Sequence, residues 1–406
     1  MSIPPVRDPA TPPPGTAGEV FLAFLSLGMR SFGGPIAHLG YFRRAFVEQR
    51  RWLDDARYSQ LLAICQFLPG PASSQLGFAI GLSRAGWPGA LAAFVGFTLP
   101  SALLMFAFAL WAPYLHGRWG QALVHGLKLV AVVVVAQAVV SMWRTLAPDW
   151  PRRSLAMAAA AILLWQPGNL TQLVVLVLAA MLAPWLCRAV HAQERMEPVA
   201  GYTVRLGRVL LGIYAALLLT ALVAGTNIGS LAGVGIAFYR AGALVFGGGH
   251  VVLPWLKQAL VAPGLVDENT FLAGYGAAQA MPGPMFSLAA YLGEHMAGAH
   301  GVAGALVAIA AIFLPGFLLL GGVLPYWQQL AGRANAVRIM AAVNAAVVGV
   351  LASAFYNPVW TGTVRDASDI LIAACGFVML AVARQPAWVA VLWCVAASCV
   401  SAWMAR

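Results

Sequence analysis

Charged side chains are scarce in this sequence. Asp, Glu, Lys and Arg make up 9% of its 406 residues, whereas about 25% is usual for a soluble domain. Hydrophobic residues make up 61%, and the mean hydropathy is +0.81. A globule of this size cannot bury so much apolar surface, and runs of about 20 apolar residues suit membrane spans. The composition therefore predicts an all-α polytopic membrane protein in contact with the lipid bilayer.

Cysteine is also scarce, and several catalytic motifs are missing. The five cysteines are scattered through apolar segments without metal-ligand spacing, so we expect small core residues and no metal site. A Walker A lysine motif, an HExxH motif and a dinucleotide fingerprint are absent from the sequence. We therefore expect neither an ATP-driven pump in this chain, nor a cofactor, nor an enzyme.

The basic residues lie mostly in short loops between apolar runs. The net charge of +11 would suggest nucleic acid as a partner of a soluble protein, but no basic-aromatic patch is visible. Basic loops in a membrane protein are topology signals, so we expect no nucleic-acid partner. The Pro-rich residues 1–18 have no apolar core, which predicts a disordered tail rather than a signal peptide.

The sequence contains an internal repeat. Five ordered motifs recur after about 213 to 216 residues, which predicts a duplicated half. We place the first repeat at residues 19–190 and the second at 231–406, joined by a linker, residues 191–230, with one transmembrane helix. The matched pairs are GMRSFGGPIAHL with GALVFGGGHVVL, WLDD with LVDE, CQFLPGP with AQAMPGP, FTLPS with IFLPG, and GLKLVAVV with AVNAAVVG.

The distribution of charge between matched loops predicts that the repeats have inverted topology. The loop at 41–57 holds five arginines, whereas its counterpart at 250–269 holds Lys257 and two acids. Conversely, Arg333 and Arg338 lie in the counterpart of the short loop near Arg118. Because basic loops are cytoplasmic, matched loops should lie on opposite sides, as in transporters with a substrate site between inverted repeats. A parallel duplication with drifted charges is the alternative.

Each repeat carries a Pro-Gly-Pro break in an apolar segment. Proline interrupts a helix, and broken backbone at membrane depth is tolerated only where it is buried in protein or lines a cavity. We expect re-entrant hairpins, with a long kinked span as the alternative. The second half-helix begins at the break, and its free N–H groups suit an anion.

The candidate substrate-binding residues cluster at these breaks and at two glycine-rich breaks. Hydroxyl and amide side chains are neutral donors, glycines allow close backbone approach, and charges at membrane depth suggest function. Helix packing at the glycines and snorkelling of the cations are the alternatives. The predicted set is Arg30, Gly33, Gly34, Gln66, Pro69, Gly70, Pro71, Ser73, Ser74, Lys128, Arg240, Gly247, Gly248, Gly249, Gln279, Pro282, Gly283, Pro284 and Ser287.

Two further groups of titratable residues have assigned roles. We consider His38, His250 and Glu294 as carriers of coupling protons, with interfacial or hydrogen-bonded side chains as the alternative. Acids favour helix N-termini, so we interpret the pairs Asp54-Asp55 and Asp267-Glu268, which precede the Pro-Gly-Pro half-helices, as helix caps.

The motifs SFGGPIAHLGYFRRAFVEQRRWLDDARYSQLLAICQFLPGPASSQLG and FGGGHVVLPWL with AAQAMPGPMFSLAAYLG resemble the chromate ion transporter family in its long, two-domain form. The resemblance covers the chain from about residue 20 onward. It implies export of chromate from the bacterial cytoplasm across the inner membrane, chromate resistance, and sulfate as a competing dianion. It leaves open sulfate uptake or exchange, a membrane-embedded reductase, a non-transporting scaffold, the coupling ion and a homodimer.

Overall fold

The computed structural model describes residues 15–115, 117–188, 203–225, 230–246, 249–297, 301–327, 330 and 332–404. These residues form sixteen α-helices and include no β-strand. Six of the helical segments are long and apolar enough to cross a membrane. The prediction of an all-α polytopic membrane protein is confirmed. Residues 1–14 of the predicted disordered tail lie outside the described residues. The last two residues of that tail, 17 and 18, belong to the first helix.

The first seven helices cover residues 17–186. Helix α4 is kinked at Ala85 and Gly86, where Gly86 has a φ of +65°. We call residues 72–84 α4a and residues 87–111 α4b. The helices are α1 (Ala17–Gly28), α2 (Gly34–Arg43, continued by a π-helical turn Arg44–Gln49), α3 (Asp55–Phe67), α4 (Ala72–Trp111), α5 (Gly117–Leu146), α6 (Trp150–Trp165) and α7 (Asn169–Leu186).

The remaining helices repeat this order after one additional helix, α8, which has no counterpart. In the second series, α12 and α13 correspond to α4a and α4b. The helices are α8 (Val204–Val223), α9 (Leu231–Ala243), α10 (Val252–Leu256, preceded by the 3-10 turn Gly249–Val251 and continued by the π-helical turn Lys257–Val261), α11 (Glu268–Ala280), α12 (Leu288–Ala297, preceded by the 3-10 turn Met285–Ser287), α13 (Gly301–Val323), α14 (Ala334–Ala354), α15 (Ala367–Phe377) and α16 (Ala387–Met404).

Helix caps repeat with the helices. Asp54 and Asp267 precede α3 and α11, and each carboxylate accepts a hydrogen bond from the backbone N–H three residues later. Asp149 and Asp366 cap α6 and α15 in the same way. An aspartate at the N-cap satisfies N–H groups that have no partner within the helix. The predicted caps Asp54 and Asp267 are confirmed, whereas Asp55 and Glu268, predicted with them, are the first residues of α3 and α11 and not their N-caps.

Equivalent helices of the two repeats run antiparallel where they meet. Trp87, at the start of α4b, lies beside Gly321, near the end of α13. Farther along α4b, the ring centroid of Phe94 lies 5.1 Å from that of Phe313 and 5.0 Å from that of Phe317. Helices α4b and α13 therefore pack against each other in opposite directions.

The last two helices of each repeat pack against the other repeat. Helix α5 contacts α15 and α16, and α14 contacts α6 and α7. The contacts are close: a Cβ atom added to Gly126 would lie 2.6 Å from Val395 Cα, and one added to Gly349 would clash with Ala156 O. The repeats are therefore interlocked through these exchanged helices.

The cysteines do not all lie in the core. Cys65, Cys187 and Cys394 are buried, but Cys375 on α15 is exposed and Cys399 is half-buried. The prediction of core residues is therefore wrong for Cys375. The outer face of a helix in an apolar solvent favours small hydrophobic side chains as much as the core does, so composition alone does not separate the two environments.

Candidate functional site

The breaks in the first repeat lie at the tips of two helical hairpins. Arg84, at the end of α4a, pairs with Glu19 in α1 at 3.2 Å. Its guanidinium carbon also lies 5.1 Å from the ring centroid of Trp52, between α2 and α3. The chain therefore returns to one cluster after α1–α2 and again after α3–α4a. The glycine break at Gly33 and the Pro-Gly-Pro break at Gly70 project away from that cluster.

The tips of the two repeats are joined by a crossed pair of backbone hydrogen bonds. The N–H of Gly70 donates to the carbonyl of Val245 at 2.7 Å, and the N–H of Gly283 donates to the carbonyl of Ser31 at 2.9 Å. Val245 and Ser31 occupy equivalent positions, each directly before a Phe-Gly-Gly motif. We call this arrangement the crossed tips. Each Pro-Gly-Pro tip thus binds the broken helix of the other repeat.

The central glycine of each tip is required by its backbone and its neighbours. Gly70 and Gly283 have φ values of +124° and +100°, a region that side chains disfavour. A Cβ on Gly70 would lie 3.1 Å from Gly316 Cα, and one on Gly283 would lie 2.8 Å from Ser101 Oγ. Gly316 and Ser101 occupy equivalent positions after a helix proline. The tips therefore rest against α13 and α4b of the opposite repeat.

Gln75 fastens one tip from inside the protein. Its side chain is fully buried, and Nε2 donates to Pro69 O at 2.9 Å and to Gly316 O at 3.0 Å. The equivalent residue of the second repeat is Leu288, so this link exists on one side only. The sequence places Gln75 with Ser73 and Ser74 among the neutral donors after the first break, although the predicted set does not include it.

Several buried polar atoms around the crossed tips have no partner in the described part of the chain. They are the hydroxyls of Ser31, Ser74 and Thr98 and Oε1 of Gln75, and each of these residues is at most 3% exposed. A buried polar group without a hydrogen bond costs about 1–3 kcal/mol. These atoms together provide hydrogen-bonding capacity for a polar ligand.

Helix N-termini at the breaks lack side-chain caps. Pro71 precedes α4a, Pro284 precedes the turn leading into α12, and Gly33 precedes α2; none makes a side-chain cap hydrogen bond. Proline and glycine have no side-chain acceptor, so first-turn N–H groups remain available. The positive end of each helix dipole favours an anion at the tips.

His38 connects the two hairpins of the first repeat. Its ring is fully buried, with Nε2 3.2 Å from Ser31 O and Nδ1 3.5 Å from Ser73 Oγ. Its ring centroid lies 5.2 Å from that of Phe97 in an edge-on contact. His38 therefore contacts the carbonyl that also accepts the N–H of Gly283. His250, the other predicted histidine, has a side chain outside the described residues.

The other predicted tip residues differ in exposure. Arg30, which follows α1, and Gln66, in the last turn of α3, are exposed. Gln279, matched to Gln66 in sequence, is buried, and its Nε2 lies 3.0 Å from Met285 Sδ. Gly33, Gly34, Pro69, Pro71, Gly249, Pro282, Pro284 and Ser287 lie at the breaks, whereas Gly247 and Gly248 lie outside the described residues.

Three predicted charged residues have partners outside the tips. The Arg240 guanidinium donates to the carbonyls of Ala221, at 2.7 Å, and Ala224, at 3.1 Å, where α8 ends. Lys128 Nζ donates to Asn269 Oδ1 at 2.8 Å, and Glu294 pairs with His295 at 3.0 Å. Arg240 therefore satisfies helix carbonyls that sequence reasoning could not foresee as its partners.

The described residues contain no group of three or more His, Cys, Asp or Glu side chains arranged for a metal ion. The functional groups at the crossed tips are hydroxyls, amides, one imidazole and backbone N–H groups. Groups of these kinds can donate hydrogen bonds to an oxyanion.

Comparisons with known proteins agree with this architecture. The profile of the chromate transporter family matches residues 18–185 and again 232–399. A probable chromate transport protein of Synechococcus elongatus is 30% identical over 82% of this chain and 81% of its own length. Chromate transport proteins of Pseudomonas aeruginosa and Cupriavidus metallidurans are 27% and 28% identical, over 84% and 85% of this chain and 80% and 83% of theirs. The chain therefore belongs to the chromate transporter family.

Proposed function

We propose that this protein exports chromate from the bacterial cytoplasm across the inner membrane and so confers chromate resistance. The observation that carries the proposal is the pair of crossed tips, where Gly70 and Gly283 bind the opposite repeat beside buried hydroxyls without partners. Chromate transport is the function named for three of the relatives. The chemistry required is the reversible binding of a tetrahedral dianion.

In this proposal the dianion binds between the tips. The N–H groups at the starts of α2, α4a and α12 and the hydroxyls of Ser31, Ser74 and Thr98 donate hydrogen bonds to its oxygens. Arg30, exposed at the end of α1, contributes positive charge along the route. Neutral donors suit a cargo that must be released, because each contributes less than a buried ion pair would.

Alternating access is the proposed mechanism, and the way in which the tips are joined supports it. We infer inverted repeats from the antiparallel contact of α4b with α13, and re-entrant hairpins from the return of α2 and α4a to the cluster around Arg84. The crossed bonds are two backbone hydrogen bonds, each worth about 0.5–1.5 kcal/mol. Rocking of the tips against each other breaks these two bonds together with the bond from Gln75 Nε2 to Gly316 O, and it opens the site to the opposite side.

His38 is the proposed proton-coupling residue with the best support from geometry, since it contacts Ser31 and Ser73 at the tips. In the neutral ring, Nδ1 can either donate a hydrogen bond to Ser73 or accept one from it. In the protonated ring, Nδ1 can only donate. His250 and Glu294 remain proposals from sequence; Glu294 already has His295 as its partner.

The test is uptake of radiolabelled chromate into inside-out vesicles, with and without an imposed pH gradient. Ser74→Ala removes one buried donor, and we expect the apparent affinity to fall about 10-fold or more. Ser83→Ala, on an exposed position of the same helical segment, is the matched control and should behave like wild type. Uptake no greater than in vesicles without the protein would refute chromate export.

Sulfate competition in the same vesicles separates the two oxyanions. Chromate and sulfate share shape and charge, so hydrogen-bond donors at the tips bind both. A chromate exporter should prefer chromate clearly, whereas a preference for sulfate would assign the protein to sulfate transport.

A further inference from the structure

A cavity lies between the repeats, lined by residues that the proposed transport site does not use. Its volume is about 340 Å³. The α6–α7 connection forms one wall, and α10 with its π-helical turn and the end of α14 form the other. The residues that matter below are Gly168, Gln172, Lys257 and Asn357.

Three of the polar groups that line this cavity are hydrogen-bond donors. Lys257 is half-buried, and its Nζ donates to Asn357 Oδ1 at 3.2 Å, a partner that carries no charge. Gln172 is 3% exposed, and its Nε2 has no partner among the described residues. Gly168 is the N-cap of the 18-residue helix α7 and makes no side-chain cap bond. A lysine, a free amide N–H and an uncapped helix N-terminus thus face one space.

Among the residues that the structure describes, no acidic side chain lines the cavity. Glu268 interacts electrostatically with Lys257 but belongs to the start of α11 and is not among the lining residues. The buried amide of Gln172 costs stability unless something accepts its hydrogen bond. A small oxyanion supplies that acceptor and neutralises Lys257, and a tetrahedral dianion with its first waters fits this volume.

We propose that this cavity is a second binding site for a tetrahedral oxyanion, a vestibule on the route to the crossed tips, with Lys257 and Gln172 as its recognition residues. The proposal rests on the proposed transport function. Lys257 lies eight positions after Gly249, at the second glycine break, so the cavity lies about 12 Å from that break at a helical rise.

The cavity has no equivalent lysine in the first repeat. The residue equivalent to Lys257 there is Arg43, which is exposed and pairs with Glu48 and Asp55. Its neighbour Arg44 is also exposed, on the π-helical turn Arg44–Gln49. Arg44→Gln therefore removes one positive charge from the matching segment outside the cavity, and it is the control for Lys257→Gln.

The test is equilibrium binding of radiolabelled sulfate to the purified full-length protein at several salt concentrations. Lys257→Gln should weaken one class of binding about 10- to 100-fold, while Arg44→Gln leaves it unchanged. Gln172→Leu should weaken the same class without lowering the unfolding midpoint, because it removes an unpaired amide. Equal sulfate binding by Lys257→Gln and Arg44→Gln would overturn the vestibule.

The same cavity chemistry would accept the phosphate of a lipid headgroup, and a second arm separates this source. Sulfate binding is repeated in nanodiscs with and without phosphatidylglycerol. Binding that is independent of this lipid supports a vestibule for free anions. If the sulfate binding that depends on Lys257 is lost when phosphatidylglycerol is present, the cavity is a site for the lipid headgroup and not a vestibule for free anions.

Failure of this inference can be told from failure of the transport function. If wild-type vesicles do not transport chromate but sulfate binding depends on Lys257, transport fails and the anion site stands. If transport is normal and the two charge variants bind alike, only the vestibule fails.

Discussion

Replacing Gly70 with alanine tests the crossed tips directly. The φ of +124° makes any side chain at this position cost about 1–3 kcal/mol. The new Cβ would also lie 2.8 Å from Gln75 Nε2 and 3.1 Å from Gly316 Cα. Because the Gly316 backbone cannot yield easily, Gln75 must move, and its two hydrogen bonds contribute about 0.5–1.5 kcal/mol each. We therefore expect Gly70→Ala to destabilise the protein by about 2–6 kcal/mol.

The assay has two readouts, the unfolding midpoint in mixed micelles of increasing SDS fraction and the initial rate of chromate uptake per folded molecule. Moving Gly70 takes its N–H away from Val245 O, so we expect uptake to fall at least tenfold in the molecules that remain folded. Gly40→Ala is the control. A Cβ there meets nothing within 4 Å, and its position inside α2 favours alanine by up to about 1 kcal/mol.

An unfolding midpoint and an uptake rate that match those of Gly40→Ala would refute the reasoning. That result would mean that the Pro-Gly-Pro tip tolerates a side chain, and that its contacts with α13 and with Val245 do not hold the site together.

Two further changes test charged residues. Arg240→Ala leaves the carbonyls of Ala221 and Ala224 without their donor, so we expect a loss of about 2–3 kcal/mol of stability with uptake per folded molecule retained. Abolished uptake at unchanged stability would place Arg240 in the transport site instead. Asp149→Asn keeps an N-cap residue but loses the ionic hydrogen bonds from Arg152, which hold the pKa of Asp149 below its usual value. The stabilisation that these bonds give the wild-type protein is fully present above the pKa of Asp149 in the unfolded chain, about 3.9. It is lost as pH falls through the lower pKa of Asp149 in the folded protein. The stability difference from wild type should therefore be constant above about pH 5 and disappear in stronger acid; a difference that grows in acid would contradict this sign.

The elements and breaks were predictable because their signals are local. Proline and glycine interrupt apolar runs at Gly70 and Gly283 in the same way, and Asp54 and Asp267 stand where N-caps belong. The duplication followed from ordered motifs. The resemblance to the family motifs predicted a tetrahedral oxyanion as the substrate.

The partners were not predictable because they are distant in sequence or lack a sequence signature. Arg240 binds backbone carbonyls, which every residue possesses. Gln66 and Gln279 match in the alignment of the repeats, yet one is exposed and the other buried, since neighbouring helices decide exposure. The crossed bonds join groups in different repeats, and the repeat pattern alone does not say which surfaces meet.

The link between Gln75 and Gly316 has a consequence for biosynthesis. These residues are 241 positions apart, and ribosomes add about 5–20 residues per second. Gly316, whose carbonyl is the second acceptor for the Gln75 amide, is therefore synthesised roughly 12–48 s after Gln75. During that interval the first half has reached the membrane with its tip unfinished. Its completion depends on a half that has yet to be made. Two separately synthesised halves, divided within residues 189–202, should therefore recover transport only when both are produced together.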